Sequence, residues 1–258
     1  MTLAVEKLAV VRGGQALLTD VGFCVAPGEM LAVIGANGAG KSTLLHALVG
    51  DLEPAAGRVL FAGRAVAGYD RRERARRIAF LAQASPLTFP FAVREVIALG
   101  RSPHASGRVI DAEVIDRAAA ATDIAHLLER AYTRLSGGEK QRVQLARVLA
   151  QIWRPEDGRD RLLLLDEPVA SLDIGHQSLI MRCLRRVAAT GVAVVFVGHD
   201  VSLAAAHADR LIALADGATV ANGTPAEVVT EATLARVFDA ETHVMPHPVT
   251  GAPVVLHD

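Results

Sequence analysis

The chain's 258 residues are 51% hydrophobic and 21% charged, the make-up of a compact globular protein, which excludes a disordered chain. A formal net charge of -1 supplies no global attraction to nucleic acid. Two cysteines, Cys24 and Cys183, exclude a disulfide framework; each sits in an apolar stretch and is expected as a small buried hydrophobe in a reducing compartment.

The stretch Met1–Lys7 lacks the layout of a signal peptide. No apolar run approaches the ~20 residues of a membrane helix, so membrane association is expected through a partner. Residues 1–30 and Gly57–Gly63 read as antiparallel strands with glycine turns. Four uninterrupted apolar runs, Met30–Ile34, Ile78–Leu81, Leu162–Leu165 and Val192–Val197, read as strands buried on both faces of a parallel sheet. Each is followed by glycine or polar residues, at Gly35, Gln83, Asp166-Glu167 and His199-Asp200. Ligands of open α/β sheets bind beyond the carboxyl ends of strands, so the four point to one shared site. Helices are predicted over Lys41–Val49, Asp111–Ala121, Gly138–Trp153, Ser178–Ala189 and Ser202–Ala208, and Val143, Ala146, Leu149 and Trp153 share one face of the third. Pro86, Pro90 and Pro103 punctuate a loop-rich stretch that opens a helical insertion. Arg154–Asp160 reads as a polar surface loop, and His243–Asp258, with Pro246, Pro248 and Pro253, as an extended tail.

Gly35-Ala-Asn-Gly-Ala-Gly-Lys-Ser-Thr43 fits the phosphate-loop pattern, set between a buried strand and a helix as that motif requires. Gly35, Gly38 and Gly40, with Asn37 and Ala39 between them, let backbone N–H groups turn inward around an anion, and the helix dipole adds favourable potential. Lys41 supplies a compact charge for the β- and γ-phosphates, and Ser42, followed by Thr43, offers a hydroxyl to Mg²⁺. Leu162-Leu-Leu-Leu-Asp-Glu-Pro168 ends a buried strand in Asp166, suited to the Mg²⁺ shell, and Glu167, suited to polarising water. Either carboxylate could instead cap the turn that follows. Leu135-Ser-Gly-Gly-Glu-Lys-Gln-Arg142 opens a second helix at Ser136, Gly137 and Gly138. Spacing alone allows a simple helix cap here, or an anion site facing a nucleotide held by a second copy in a head-to-tail dimer.

With these blocks in order, the sequence resembles the ATP-binding subunit of an ABC transporter over essentially its whole length. Gly35–Thr43 resembles the Walker A loop, Gln83 the Q-loop glutamine, Leu135–Arg142 the signature motif, and Leu162–Glu167 Walker B. Ser171-Leu-Asp173 resembles the D-loop and His199 the switch histidine. The resemblance implies an α/β fold: a P-loop NTPase core with a mostly parallel sheet, an N-terminal antiparallel β subdomain and an inserted α-helical subdomain. All would form one nucleotide-binding domain over 1–258, with the core at about 1–83 and 154–240, the helical subdomain at about 84–153 and a tail over 241–258. It implies ATP and Mg²⁺, with Ser42, Gln83 and Asp166 at the metal. Gln83 would link the metal and the water to the membrane partner, Glu167 would be the general base, and His199 would contact the γ-phosphate. Ser136–Gly138 and Asp173 would act across a homodimer. Partners would be an integral membrane permease dimer and, indirectly, a periplasmic binding protein, with no nucleic acid. The chain would sit on the cytoplasmic face of the bacterial inner membrane.

Three departures stand out. The family's adenine-stacking aromatic, near position 12, is replaced by Arg12, whose planar guanidinium can also stack on a base. Glu139 takes the place of the commoner signature glutamine, and Gly198 precedes His199. Phe91–His104 resembles the coupling region of importers for ferric siderophores, cobalamin and haem. Within that group Gln141–Trp153, the loop before Walker B and Pro246–Gly251 are most similar to haemin import subunits, leaving siderophore or cobalamin import as the alternative. A soluble ABC ATPase acting on ribosomes or DNA would carry two cassettes or a long coiled-coil insertion, and neither is visible. A regulatory module without turnover would lack the base, which Glu167 supplies. Arg71-Arg-Glu-Arg-Ala-Arg-Arg77 has no aromatic neighbours for base stacking and reads as a solvated helix face. His243, His247 and His257 match no compact metal-ligand spacing and read as part of the tail.

Overall fold

A computed structural model describes residues 1–83, 87–153 and 159–256. Pro86, the residues at the subdomain boundaries expected near 84 and 154, most of the loop Arg154–Asp160, and His257 lie outside the described residues. In chain order the strands and helices are β1 (Leu3–Arg12), β2 (Gln15–Val25), β3 (Met30–Gly35), α1 (Lys41–Val49), β4 (Ala56–Phe61), β5 (Arg64–Ala65) and α2 (Arg71–Arg77). Then come β6 (Ile78–Leu81), α3 (Val93–Ala98), α4 (Arg108–Ala121), α5 (Gly137–Ile152), β7 (Leu162–Asp166), α6 (Ile174–Ala188) and β8 (Ala193–Val197). The chain closes with α7 (Val201–His207), β9 (Arg210–Ala215), β10 (Ala218–Gly223), α8 (Pro225–Val228), α9 (Glu231–Phe238), β11 (His243–Pro246) and β12 (Pro253–Leu256).

The four apolar runs form adjacent strands of a six-stranded sheet ordered β10-β9-β3-β8-β7-β6, parallel except for the β9–β10 hairpin. Because side chains alternate across a strand, each run feeds two cores. Met30, Ala32, Ile34, Leu163, Leu165, Val194 and Phe196 face α5, α6 and α7. Leu31, Val33, Leu162, Leu164, Val195 and Val197 face α1 and the antiparallel sheet β2-β1-β4-β5. A fully buried leucine contributes about 1.5–3 kcal/mol relative to exposure, so the two layers clamp the strand ends that carry Gly35, Asp166 and His199. Helix α5 serves two cores at once: Leu145, Val148, Leu149 and Ile152 pack on the sheet, whereas Val143, Ala146 and Ala150 join α3 and α4. Trp153 is only partly buried, between both.

Several expectations change. Helix α4 begins at Arg108, three residues earlier than expected, because Gly107 (φ 86) turns the chain and accepts from the Asp111 N–H. Helix α6 begins at Ile174 because the Asp173 side chain caps it by accepting from the His176 N–H at 2.9 Å. Cys183 is buried, but Cys24 is exposed, since strand alternation in β2 turns Phe23 and Val25 inward and Cys24 outward. The tail is not a loose extended segment: β11 and β12 pair from His243↔Leu256 to Pro246↔Pro253, and the Val255 N–H donates to Ser202 Oγ on α7. The arginine-rich run is a helix with no buried residue, as expected, but it is not merely solvated. Arg72 and Arg76 both donate to the Pro103 carbonyl at 2.8 Å, and Arg77 to that of Asp160.

Candidate functional site

A cleft of about 780 Å³ opens at the carboxyl ends of the parallel strands. Asn37, Gly38, Gly40, Lys41, Ser42, Thr43, Gln83, Glu167 and His199 line it, so residues far apart in sequence meet there. Gln15, Ala16, Leu17, Asp216 and Gly217 complete the wall. These five were not singled out in the sequence, although Asp216-Gly217 carries a readable hairpin signal: both have positive φ, 49° and 74°, as a tight turn requires. Gly35 and the buried Ala39 support the loop from behind. Arg12, at the exposed end of β1, is not among the lining residues. A second cavity of about 520 Å³, walled by Leu149, Trp153, Cys183 and Val187, carries none of the expected site residues.

The loop gives anion binding its physical basis. Helix α1 starts at Gly40 (φ 97) with no side-chain cap and no acidic residue in its first turn. Its leading N–H groups and dipole therefore stay available to a negative ligand. Gly40 is required: a Cβ there would stand 2.8 Å from Leu18 Cδ2 and 2.9 Å from the Leu17 carbonyl oxygen. Lys41 is buried, and its Nζ donates to the carbonyls of Gly35 (2.7 Å) and Ala36 (2.8 Å). Burial lowers the pKa of the ammonium, while the charges of Glu167 and Asp166 pull it back up.

Opposite the lysine, β7 delivers two carboxylates. Asp166 is 2% exposed, and its Oδ1 is buried with no hydrogen-bond partner among the described residues. Burial pushes this carboxyl above its usual range, a Ser42 hydrogen bond lowers it, and the Glu167 charge raises it further. Neither carboxylate side chain caps the following turn. A hard oxygen ligand set of hydroxyl, amide and an orphaned buried carboxylate oxygen fits a divalent cation such as Mg²⁺. Glu167 sits in the left-handed region (φ 52) and its Oε1 is hydrogen-bonded to His199 Nε2. The backbone here is pinned by the sheet, the Glu167 N–H donating to Val197 O and the Gly198 N–H to Val33 O. A Cβ on Gly198 would meet nothing closer than 3.7 Å, so packing does not require glycine there.

Ser136, Gly137 and Gly138 stand apart from this cleft in the single chain. Ser136 caps α5: its Oγ accepts from Glu139 N at 3.3 Å and its own N–H donates to Glu139 Oε2 at 2.7 Å. The departure at Glu139 thus completes a capping box. Asp173 is likewise outside the cleft, occupied in capping α6. Helix α5 still touches the Walker B segment, where Gln141 Nε2 donates to the Glu167 carbonyl at 3.1 Å.

Residues 18–170, more than half of the chain, match the ABC transporter family. The chain is 48% identical over 254 residues to the hemin import ATP-binding protein HmuV of Pseudomonas entomophila, covering 98% of this chain and 99% of that protein. It is 49% identical over 256 residues to the protein of the same name in Gloeobacter violaceus, covering 98% and 93%. Among solved structures, one described as of metal-chelate type, an inward-facing ABC transporter, superposes with a TM-score of 0.81 at 27% identity, covering 99% of this chain and 95% of that one. The match to the family over more than half of the chain, and likeness of this extent to ATP-binding subunits, lead to one assignment: the chain belongs to the ABC transporter family, as an ATP-binding and ATP-hydrolysing subunit.

Proposed function

We propose that the chain is the energy subunit of a bacterial haem importer, coupling ATP binding and hydrolysis to translocation by a membrane permease. The observation that carries the cargo is the 48–49% identity to hemin import subunits across 98% of the chain. Import of another iron or metal chelate, a ferric siderophore or cobalamin, is the second reading, favoured by the likeness to the metal-chelate type transporter. Among the described residues no helix is long and apolar enough to cross a membrane, which is consistent with docking on a permease at the cytoplasmic face.

In this reading Asn37–Thr43 and the open start of α1 hold the triphosphate. Lys41 exchanges its two loop carbonyls for β- and γ-phosphate oxygens, trading neutral acceptors for charged ones. Ser42, Gln83 and Asp166 would hold Mg²⁺, whose chemistry is to neutralise charge on the phosphates. Glu167 takes the proton of the attacking water, and His199, within hydrogen-bond reach of Glu167, orients that base and contacts the γ-phosphate. The signature residues Ser136–Gly138 and Asp173 act on the site of a second copy in a homodimer, fed indirectly by a periplasmic binding protein. None of them lines the cleft of their own chain, which is consistent with that arrangement.

The test is reconstitution with the permease and binding protein in vesicles, measuring ATPase stimulation by haem, cobalamin and a ferric siderophore. Haem is expected to stimulate most. Stimulation by cobalamin or the siderophore without haem would overturn the cargo, and absence of ATP turnover would overturn the whole reading.

A further inference from the structure

His176, in the first turn of α6, stands between two carboxylates from different parts of the fold. Its Nδ1 is 2.7 Å from Asp173 Oδ2, in the D-loop, and its Nε2 is 3.7 Å from Asp123 Oδ2, in the turn after α4. Asp123 is held in turn by Arg142 of α5, whose Nη1 donates to the Asp123 carbonyl at 2.9 Å and lies 3.3 Å from Oδ2. The Arg142 side chain is only 7% exposed, so this contact is largely shielded from solvent on the arginine side. Asp173–His176–Asp123–Arg142 therefore forms a chain from the D-loop to the helix that begins at the signature motif. A backbone contact runs alongside: a Cβ on Gly138 would lie 3.2 Å from the Ser171 carbonyl oxygen.

We propose that His176 is a positioning residue, tying the D-loop aspartate Asp173 to Asp123 so that the D-loop and the signature helix keep one fixed relation during turnover. The inference rests on the ATPase reading above. Its physical basis is the geometry of the ring. Each ring nitrogen faces a carboxylate: Nδ1 faces Asp173 from its own helix start, and Nε2 faces Asp123 from the turn after α4, with Arg142 of α5 behind Asp123. One rigid ring with a polar atom at either end thus spans the two segments.

The test is a double-mutant cycle on the full chain with His176→Asn and Asp123→Asn. Asn at 176 can still donate to Asp173 but does not reach Asp123. Asn at 123 tolerates the left-handed backbone there (φ 56) and removes only the charge. Each variant is expected to lower kcat about two- to fivefold, the range that a partly exposed ion pair supports, with KM for ATP unchanged. The double variant should fall no further than either single one. Additive losses, or a lowered Tm with kcat unchanged, would each overturn the proposal. The parallel control is Glu167→Gln: if that variant keeps wild-type turnover, it is the ATPase reading that has failed, whatever His176 does.

Discussion

Asp166→Asn should make the nucleotide-free protein more stable while removing its activity. Asp166 is buried with one oxygen unpartnered, and its carboxyl is held above the ordinary range, chiefly by burial. The folded chain therefore holds this proton to higher pH than the unfolded chain does. Stability is fully present below the unfolded pKa and declines as pH rises through that value to the folded one, where the loss is complete. Above the folded pKa the wild type carries the whole penalty. An amide of the same shape removes the charge and can still accept from Ser42, relieving an unsatisfied buried group worth about 1–3 kcal/mol. The new N–H₂ group has no assured acceptor, so the lower end applies. About 1 kcal/mol corresponds to about 2–4 °C in Tm for a domain of this size. Thermal unfolding in EDTA without nucleotide should show the variant melting higher at pH 7.5, with the gap closing on acidification through the carboxylate range. ATP turnover with Mg²⁺ should be lost. A variant that melts lower than wild type at pH 7.5 would refute the claim that this carboxylate is destabilising in the empty site.

Glu167→Gln should abolish hydrolysis and let an ATP-bound dimer accumulate in size-exclusion chromatography; a variant that turns over normally removes Glu167 from the role of base. Gly40→Ala must accommodate both a φ of 97° and a Cβ 2.8 Å from Leu18 Cδ2, so ATP affinity by calorimetry should drop about tenfold, from roughly 1–2 kcal/mol of strain. Unchanged affinity would mean that the loop relaxes freely. In native protein Cys24, which is exposed, should react with a thiol reagent within minutes, whereas Cys183, buried and with its pKa pushed up to about 11, should react only on unfolding. Two equally fast thiols would contradict the packing of α6.

The parallel sheet was legible because buried strands announce themselves as unbroken apolar runs, and the four runs are consecutive in the sheet, in the order β3-β8-β7-β6. The phosphate loop, Asp166, Glu167 and His199 followed from what comes after those runs. Other features depend on partners that the local sequence does not name. Asp173 was singled out by resemblance to the D-loop, but its role as the cap of α6 shows only when the His176 N–H is seen to point at it, which moves the start of α6 back by four residues. The tail's prolines suggested an unpaired chain, yet Pro246 and Pro253 face each other at the mouth of a hairpin, where proline is tolerated at strand ends. Cys24 was misread because an apolar neighbourhood was weighed above strand alternation. The wall formed by Gln15–Leu17 and Asp216-Gly217 is a product of non-local contacts: Gly217 N–H donates to Ala39 O, and Thr19 N–H to Gly217 O. Nothing along the chain specifies that approach.

The two glycine-rich helix starts look alike in sequence but differ physically. Helix α1 begins uncapped, free of acidic residues and open to the cleft. Helix α5 begins in a closed capping box, with the carboxylate of Glu139 held below its usual range by the Ser136 N–H. On spacing, a cap and a phosphate contact were alternatives for Ser136. The structure shows the cap: Ser136 Oγ accepts from the Glu139 N–H, and the Glu139 carboxylate is hydrogen-bonded to the Ser136 N–H and side chain. A phosphate at this helix start would compete with that carboxylate for the same donors. Ser136, Gly137 and Gly138 do not line the cleft of their own chain. In the proposed head-to-tail homodimer the start of α5 would instead meet an anion held on the second copy's loop Gly35–Thr43.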